Sequence, residues 1–308
     1  VIAHSRSVID WPHPAQTNAT YVLEARFLHS QSELALNQYA SAEASISALL
    51  NNSRTELGAS RVQQLTEQLA SSIYQQAQQP QLADADVLTH LARLLQTLPD
   101  SSYHQAAAYQ QISLLLSAQN WTAAIPLLQR FIQRYPQTER GIAAKAQLLD
   151  SYEQAEQWDK AAAELSRLAG AATAPAEQRE ALYLAAQYYQ RSGDTAKALD
   201  NWRSYANRYP QPHLLAQEAR YQLVQLYQQQ NDVYRQHFWR DKIAAFEQQF
   251  ASDGNQRTQQ LAAQALLELG RHESSLFDAV RLAHPLAQSL QKKRQHMAAA
   301  IKRYEHSM

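Results

Sequence analysis

No cysteine occurs in the 308 residues. Disulfides, thiolate metal sites and a cysteine nucleophile are therefore excluded. Glycine is nearly as scarce, with 6 residues against the ~7% of average usage. Hairpins, phosphate loops and active-site turns all consume glycine, so its scarcity points to a chain made almost wholly of helix. Excess charge of either sign is missing too: 28 Lys+Arg balance 28 Asp+Glu. That balance argues against a nucleic-acid binder, which needs a basic surplus against phosphates, and against a polybasic membrane-surface protein. No apolar run approaches the roughly 18 residues of a membrane span. The chain opens on Val1, without a basic segment, an apolar run and a small-residue cleavage site. The expectation is a processed form or a piece of something longer.

Hydrophobic residues make up 45% and charged residues 18%, enough for a real core. Glutamine is abundant, roughly 40 residues and far above average usage. Ala, Leu, Gln and Glu all tolerate helix well.

An internal period organises the chain. Trp121 and Trp158 are 37 apart, as are Pro99 and Pro136. Tyr135-Pro136 recurs as Tyr209-Pro210, two such steps further on. Periods of this size mean stacked supersecondary units. Each period reads as two helices. Over 105–136, Ala106, Ala107, Ala108, Ile112 and Leu115 make a small-residue helix, Gln119-Asn120-Trp121 turns the chain, and Ala124, Leu127, Leu128 and Phe131 form an amphipathic stripe. Pro136 stops that helix. Residues 139–170, 176–210 and 213–250 repeat the pattern. Helices are further expected over 256–270, ending at Gly270, over 273–283, and over 286–305. Trp121 and Trp158 are expected to be buried at equivalent turns.

These residues resemble the tetratricopeptide repeat, whose helix–turn–helix wants small residues in helix A, Gly-Asp at the turn, Ala early in helix B and Pro at its end. Gly193-Asp194 with Ala198 and Pro210 fits best; Gln157-Trp158 with Ala161, and Asn120-Trp121 with Ala124 and Pro136, fit with the glycine lost. Asn37-Gln38-Tyr39 with Ala42 fits an earlier unit, and Trp11-Pro12 reads as the end of one earlier still. The resemblance implies an all-α, right-handed α-solenoid with a helical C-terminal extension. Its expected divisions are degenerate N-terminal repeats over 1–56, the solenoid over 57–250, and a C-terminal cap or linker to further repeats over 251–308. Stretches 69–74, 98–102 and 285–294 more loosely resemble large repeat-rich proteins of the Gram-negative envelope, associated with Tol/TonB-like systems. That likeness implies a periplasmic location and places Met308 at a truncation point.

Motifs for chemistry are missing. None of the 11 His forms HExxH or an i,i+4 pair, and no phosphate loop, GxSxG or dinucleotide fingerprint occurs. No metal, cofactor or catalytic residue is expected, and the chain is read as no enzyme. Glu273-Ser274 is similar to the Glu-Ser pair of lytic transglycosylases, but reads more simply as a helix N-terminus. Lys292-Lys293-Arg294 with Lys302-Arg303 reads mainly as a solvated face, with a membrane or acidic partner as the functional alternative.

One stripe stands out. In the repeat register the fifth position of helix A is Tyr109, Tyr183 and Tyr221, and in this architecture it faces the concave groove. Asp150, Glu153, Gln187, Gln190, Arg191 and Gln225 are neighbouring groove positions. Tyrosine suits partner contacts, being rigid and apolar with a polar tip, but the same register also suits packing between repeats. The expected function is a non-catalytic scaffold or adaptor that binds a protein or peptide along that face. The alternatives are the superhelical scaffold of a cell-wall-acting enzyme, or a carrier of a small or lipid-like ligand. Circular dichroism should show nearly pure helix; strand content above about a tenth would contradict this fold class.

Overall fold

The computed structural model describes residues 2–10 and 19–307, and Trp11-Pro12 lies outside them. Among the described residues fifteen α-helices follow one another and no strand occurs. The chain divides into two compact units, Val1–Ala155 and Glu156–Met308. The first holds α1 (Ile2–Ile9), α2 (Ala19–Ala35), α3 (Tyr39–Asn52), α4 (Arg54–Ala77), α5 (Asp84–Thr97), α6 (His104–Ser117), α7 (Trp121–Arg134) and α8 (Glu139–Gln154). The second holds α9 (Trp158–Ala171), α10 (Pro175–Ser192), α11 (Thr195–Arg208), α12 (His213–Gln229), α13 (Val233–Gln249), α14 (Gln256–Ala279) and α15 (Leu286–Ser307). Within each unit successive helices pack against one another, which makes the all-α solenoid. Helix α4 is interrupted at Gly58, whose φ of 74° and ψ of 157° are non-helical.

The period has a backbone cause. At the turns before α3, α7, α9, α11 and α13, though not before α5, one residue takes the left-handed conformation: Asn37, Gln119, Glu156, Gly193 and Asn231. The last four fall one repeat period apart. Within each unit that residue reverses the chain, and backbone N–H groups at the turn satisfy carbonyls at the helix end. Gln119 N donates to Leu116 O at 3.0 Å and Asn120 N to Leu115 O at 2.8 Å; Asn231 and Asp232 repeat this on Gln228 and Tyr227. The following residue is then the N-cap of the next helix. The side chains of Asn120, Asp194 and Asp232 accept from the N–H three residues on.

Small residues complete the unit. Ala42, Ala124, Ala161 and Ala198 sit one early turn into α3, α7, α9 and α11, each with no exposed surface. Around them lie Ile46, Leu49 and Leu65, then Ile73, Leu91 and Leu94, in the first unit, and Trp202, Tyr205, Leu223 and Ile243 in the second.

Two expectations are corrected. Trp121 and Trp158 are half-buried rather than buried. Each is the first residue of its helix, at the open end of the pair, and Trp158 lays its ring 5.4 Å from Tyr188. The helix expected to end at Gly270 continues unbroken to Ala279. Gly270 is there for contact: a Cβ would stand 2.7 Å from Cε1 of Tyr304 on α15. Glu273 consequently lies inside α14, not at a helix start, and its carboxylate pairs with His296 at 2.7 Å.

Helices α12, α13 and α14 are joined by a buried polar cluster. The Glu247 carboxylate receives His213 Nε2 at 2.8 Å, Gln217 Nε2 at 3.0 Å and Thr258 Oγ1 at 3.0 Å. Burial alone would raise the Glu247 carboxyl, but the hydrogen bonds from Gln217, His213 and Thr258 outweigh it and hold the group below its ordinary value. Beside it Arg220 lies 3.8 Å over the Phe246 ring and donates to Ala216 O and Ala206 O. Desolvation lowers its pKa to about 10.

The turn and the polar cluster can each be tested by stability. Gly193 has a φ of 82°, and a Cβ added there would meet nothing within 4 Å. Gly193→Ala should therefore cost about 1–2 kcal/mol through backbone conformation alone, while Gln119→Gly should be neutral or stabilising by up to about 1 kcal/mol. Urea titration of both variants reads the difference, and an unchanged Gly193→Ala midpoint would contradict the turn's role. Because the native Glu247 value is depressed, its stabilisation is complete above the unfolded value of 4.5 and is lost as pH falls through the lower native one. Glu247→Gln should therefore flatten the acid limb of stability below about pH 4.5 and destabilise at neutral pH.

Candidate functional site

The nine residues of the expected groove fall in both units. Tyr109, Asp150 and Glu153 belong to the first; Tyr183, Gln187, Gln190, Arg191, Tyr221 and Gln225 belong to the second. Each group is described within its own unit.

In the first unit Tyr109 is half-buried on α6. Its ring lies 5.5 Å from Phe131 and under the Arg140 guanidinium at 5.3 Å, and Gln147 Nε2 of α8 approaches its hydroxyl at 3.4 Å. Asp150 is exposed, Glu153 is half-buried, and neither holds an ion pair among the described residues.

The second unit places Tyr183 on α10 and Tyr221 on α12, about one repeat period apart and both half-buried. Tyr183 packs edge-on against Trp202 at 4.9 Å and Tyr205 at 5.1 Å. Desolvation, and then the nearby Glu218 carboxylate, raise its hydroxyl pKa. Tyr205 beneath it is fully buried and is pushed to about 12, chiefly by desolvation. Tyr221 lies under the Arg257 guanidinium of α14 at 5.5 Å, and Arg257 Nε donates to Glu218 at 2.8 Å. The tyrosines are thus packing residues on their inner edge. Their half-exposed remainder lines the surface formed by α10, α12 and α14.

Amides stand beside them. Gln187 and Gln225 lie one helical turn beyond Tyr183 and Tyr221, at the same repeat spacing, and form no hydrogen bond among the described residues. Gln190, by contrast, is a clamp: its Oε1 accepts from Trp202 Nε1 at 3.0 Å and its Nε2 donates to Gln222 Oε1 at 3.0 Å. Arg191 is drawn away to α9, 5.0 Å over the Trp158 ring. Of the six positions expected in this unit, the two tyrosines and Gln187 and Gln225 therefore make one repeated surface pattern, while Gln190 and Arg191 support it from the sides.

Glu218, Gln222 and Arg257 were absent from the sequence expectation. A signal existed for the first: Glu180 and Glu218 each precede a stripe tyrosine by three residues. Arg257 had no such signal, because α14 carries no tyrosine at that register.

Glutamine pairing between alternate helices occurs in the first unit as well. Gln31 of α2 and Gln68 of α4 exchange two amide hydrogen bonds at 2.8 and 2.7 Å, and Gln78 at the end of α4 donates to Gln110 of α6 at 2.7 Å. An uncharged side chain that both donates and accepts suits this role, since each amide can satisfy its counterpart in the next repeat.

The chemistry available on this surface is stacking, amide hydrogen bonding and one ion pair. Among the described residues no group of three or more His, Asp and Glu is placed to hold a metal ion, and no helix is long and apolar enough to cross a membrane.

The family model of the tetratricopeptide repeat matches residues 100–138 and 180–212. These segments contain α6 with α7, and most of α10 with α11. No curated protein sequence matches the chain. Among solved structures the chain is similar to a tetratricopeptide repeat protein from Parabacteroides merdae, with 13% identity over 93% of this chain and 98% of that one, at a TM-score of 0.28. It is also similar to human IFIT1 in a dimer with m7Gppp-AAAA, with 12% identity over 99% of this chain and 65% of that one, at a TM-score of 0.24.

Proposed function

We propose that this chain, which carries tetratricopeptide repeats, is a non-catalytic protein-interaction scaffold that holds a peptide or partner helix on the surface of α10, α12 and α14. The observation that supports this most is the repeated pair of a half-exposed tyrosine and an unpaired glutamine on successive first helices, Tyr183 with Gln187 and Tyr221 with Gln225. Rigid aromatic anchors beside adaptable amides are what a peptide-binding surface needs. The absence of a charge excess in the sequence favours a partner held by stacking and amide bonds, so affinity should depend weakly on salt. We further place the scaffold in a periplasmic envelope complex, on the resemblance of stretches 69–74, 98–102 and 285–294 to repeat-rich envelope proteins.

Replacing either tyrosine with Ala would also remove core contacts, Trp202 and Tyr205 for Tyr183. The cleaner variant is Gln187→Lys with Gln225→Lys, which leaves both rings in place. A partner captured by the full chain from envelope extract, and identified by mass spectrometry, should lose more than about tenfold in affinity to this variant at unchanged melting temperature. Equal affinity would put the binding surface elsewhere.

A further inference from the structure

The first unit holds a cleft that the scaffold reading does not use. It measures about 670 Å³ and is lined by α5, α6 and α7. Helical phase brings the lining together. Ala92, Leu95 and Gln96 share one side of α5, and His104, Ala108, Gln111 and Ile112 one side of α6. Leu127, Arg130, Phe131 and Arg134 share one side of α7, so two cations stand on the same face as two apolar side chains. Among the described residues no aspartate or glutamate lines the cleft. Arg130 is exposed and has no ion pair among those residues; its Nε donates to Pro126 O at 3.2 Å. Arg134 donates to Pro99 O at 2.6 Å and reaches Asp100 at 3.3 Å, but the Asp100 side chain is 96% exposed. Water screens that pair, so it leaves a positive field in the cleft. His104 feels it: burial first, and then the Arg134 charge, lower its pKa against the opposing effect of Asp100. Repeat packing does not dictate this lining. In the repeat register two periods on, Leu182 stands where Ala108 does, Asn201 where Leu127 does and Ser204 where Arg130 does.

We propose that this cleft binds a small amphipathic anion, its carboxylate held at Arg130 and Arg134 and its apolar body lying between Leu95 and Leu127 over Ile112. The volume falls within the range of small-ligand sites. The two guanidinium groups, with no acid in the lining, decide for an anion, and for a carboxylate in particular, which they can grip through paired hydrogen bonds. The walls decide for an apolar body. A peptide would bring a backbone donor and acceptor at every residue, which Leu95, Leu127, Ile112 and Phe131 cannot satisfy. An acyl or aryl carboxylate asks only for charge at one end and apolar contact along the rest. The cleft lies in the first unit, whereas Tyr183 and Tyr221 lie in the second, so this inference stands apart from the scaffold reading.

The test is calorimetric titration of the full chain with decanoate, and with decanol as its uncharged counterpart. Decanoate should bind saturably and at least about tenfold more tightly than decanol. Arg130→Gln should weaken decanoate by about tenfold and leave decanol unchanged, a separation that misfolding would not produce. Arg130→Lys should keep most of the affinity. Ala108→Leu should fill the floor of the cleft and remove both ligands at unchanged melting temperature. The groove variant Gln187→Lys with Gln225→Lys should bind decanoate like the unaltered chain, so failure here and failure of the scaffold reading remain distinguishable. Absence of decanoate binding below about 1 mM overturns the proposal, as does equal affinity for decanol. Binding that survives both Arg130→Gln and Ala108→Leu overturns it too, by placing the ligand elsewhere. So does a leucine-terminated pentapeptide that binds more than about tenfold tighter than decanoate, which would name a protein C-terminus as the occupant.

Discussion

A single left-handed residue at the turn before α3, α7, α9, α11 and α13 is the constraint on which the rest depends. After Gln119, Glu156, Gly193 and Asn231, each left-handed, the next residue occupies the N-cap of the following helix. In α7, α9 and α11 an alanine four residues on is then fully buried. Interval and geometry are locked together. Lengthening a helix by one residue would rotate its alanine away from the contact and bring a larger side chain into it. Only one of these four positions is glycine, so the fold accepts local backbone strain in exchange for a uniform turn.

The same regularity explains the glutamines. Helices that recur at a fixed period bring equivalent positions side by side, and an amide at such a position meets another amide. Gln31 with Gln68, 37 residues apart, is such a pair, and Gln190 with Gln222 joins amides of neighbouring first helices off that register. Charged residues there would need alternating signs from repeat to repeat. Glu24 with Arg61 and Glu218 with Arg257 show that the chain also uses that solution. Neutral pairing leaves such positions without a strong field.

Much of this was legible in the sequence, for identifiable reasons. The period shows in Trp121, Trp158, Pro136 and Pro210 because the residues that turn and stop helices are chemically distinctive. The tyrosine register was legible for the same reason. What sequence reasoning missed depends on contacts far apart in the chain. Gly270 looked like a helix end because its local propensity is poor, and the ring of Tyr304, on the next helix, overrides that. Trp121 and Trp158 were expected buried because they recur one period apart, whereas first-turn placement leaves them half-covered. The union of His213, Gln217, Glu247 and Thr258 follows no spacing rule, since it joins three helices. Among groove positions, helical phase placed Gln187 and Gln190 alike, and only the presence of Trp202 beside Gln190 separates a free amide from a clamp.

The scaffold proposal rests on the surface of α10, α12 and α14, where the Tyr183 ring is fixed from below by Trp202 and Tyr205 and amides stay open one turn away. Site-specific photo-crosslinking tests this most directly. A photoreactive side chain placed at position 187 or 225 in the full chain should crosslink the captured partner, while the same group at Asp200, exposed on α11, should not. Crosslinking from position 200 at equal yield, with none from 187 and 225, would contradict the account.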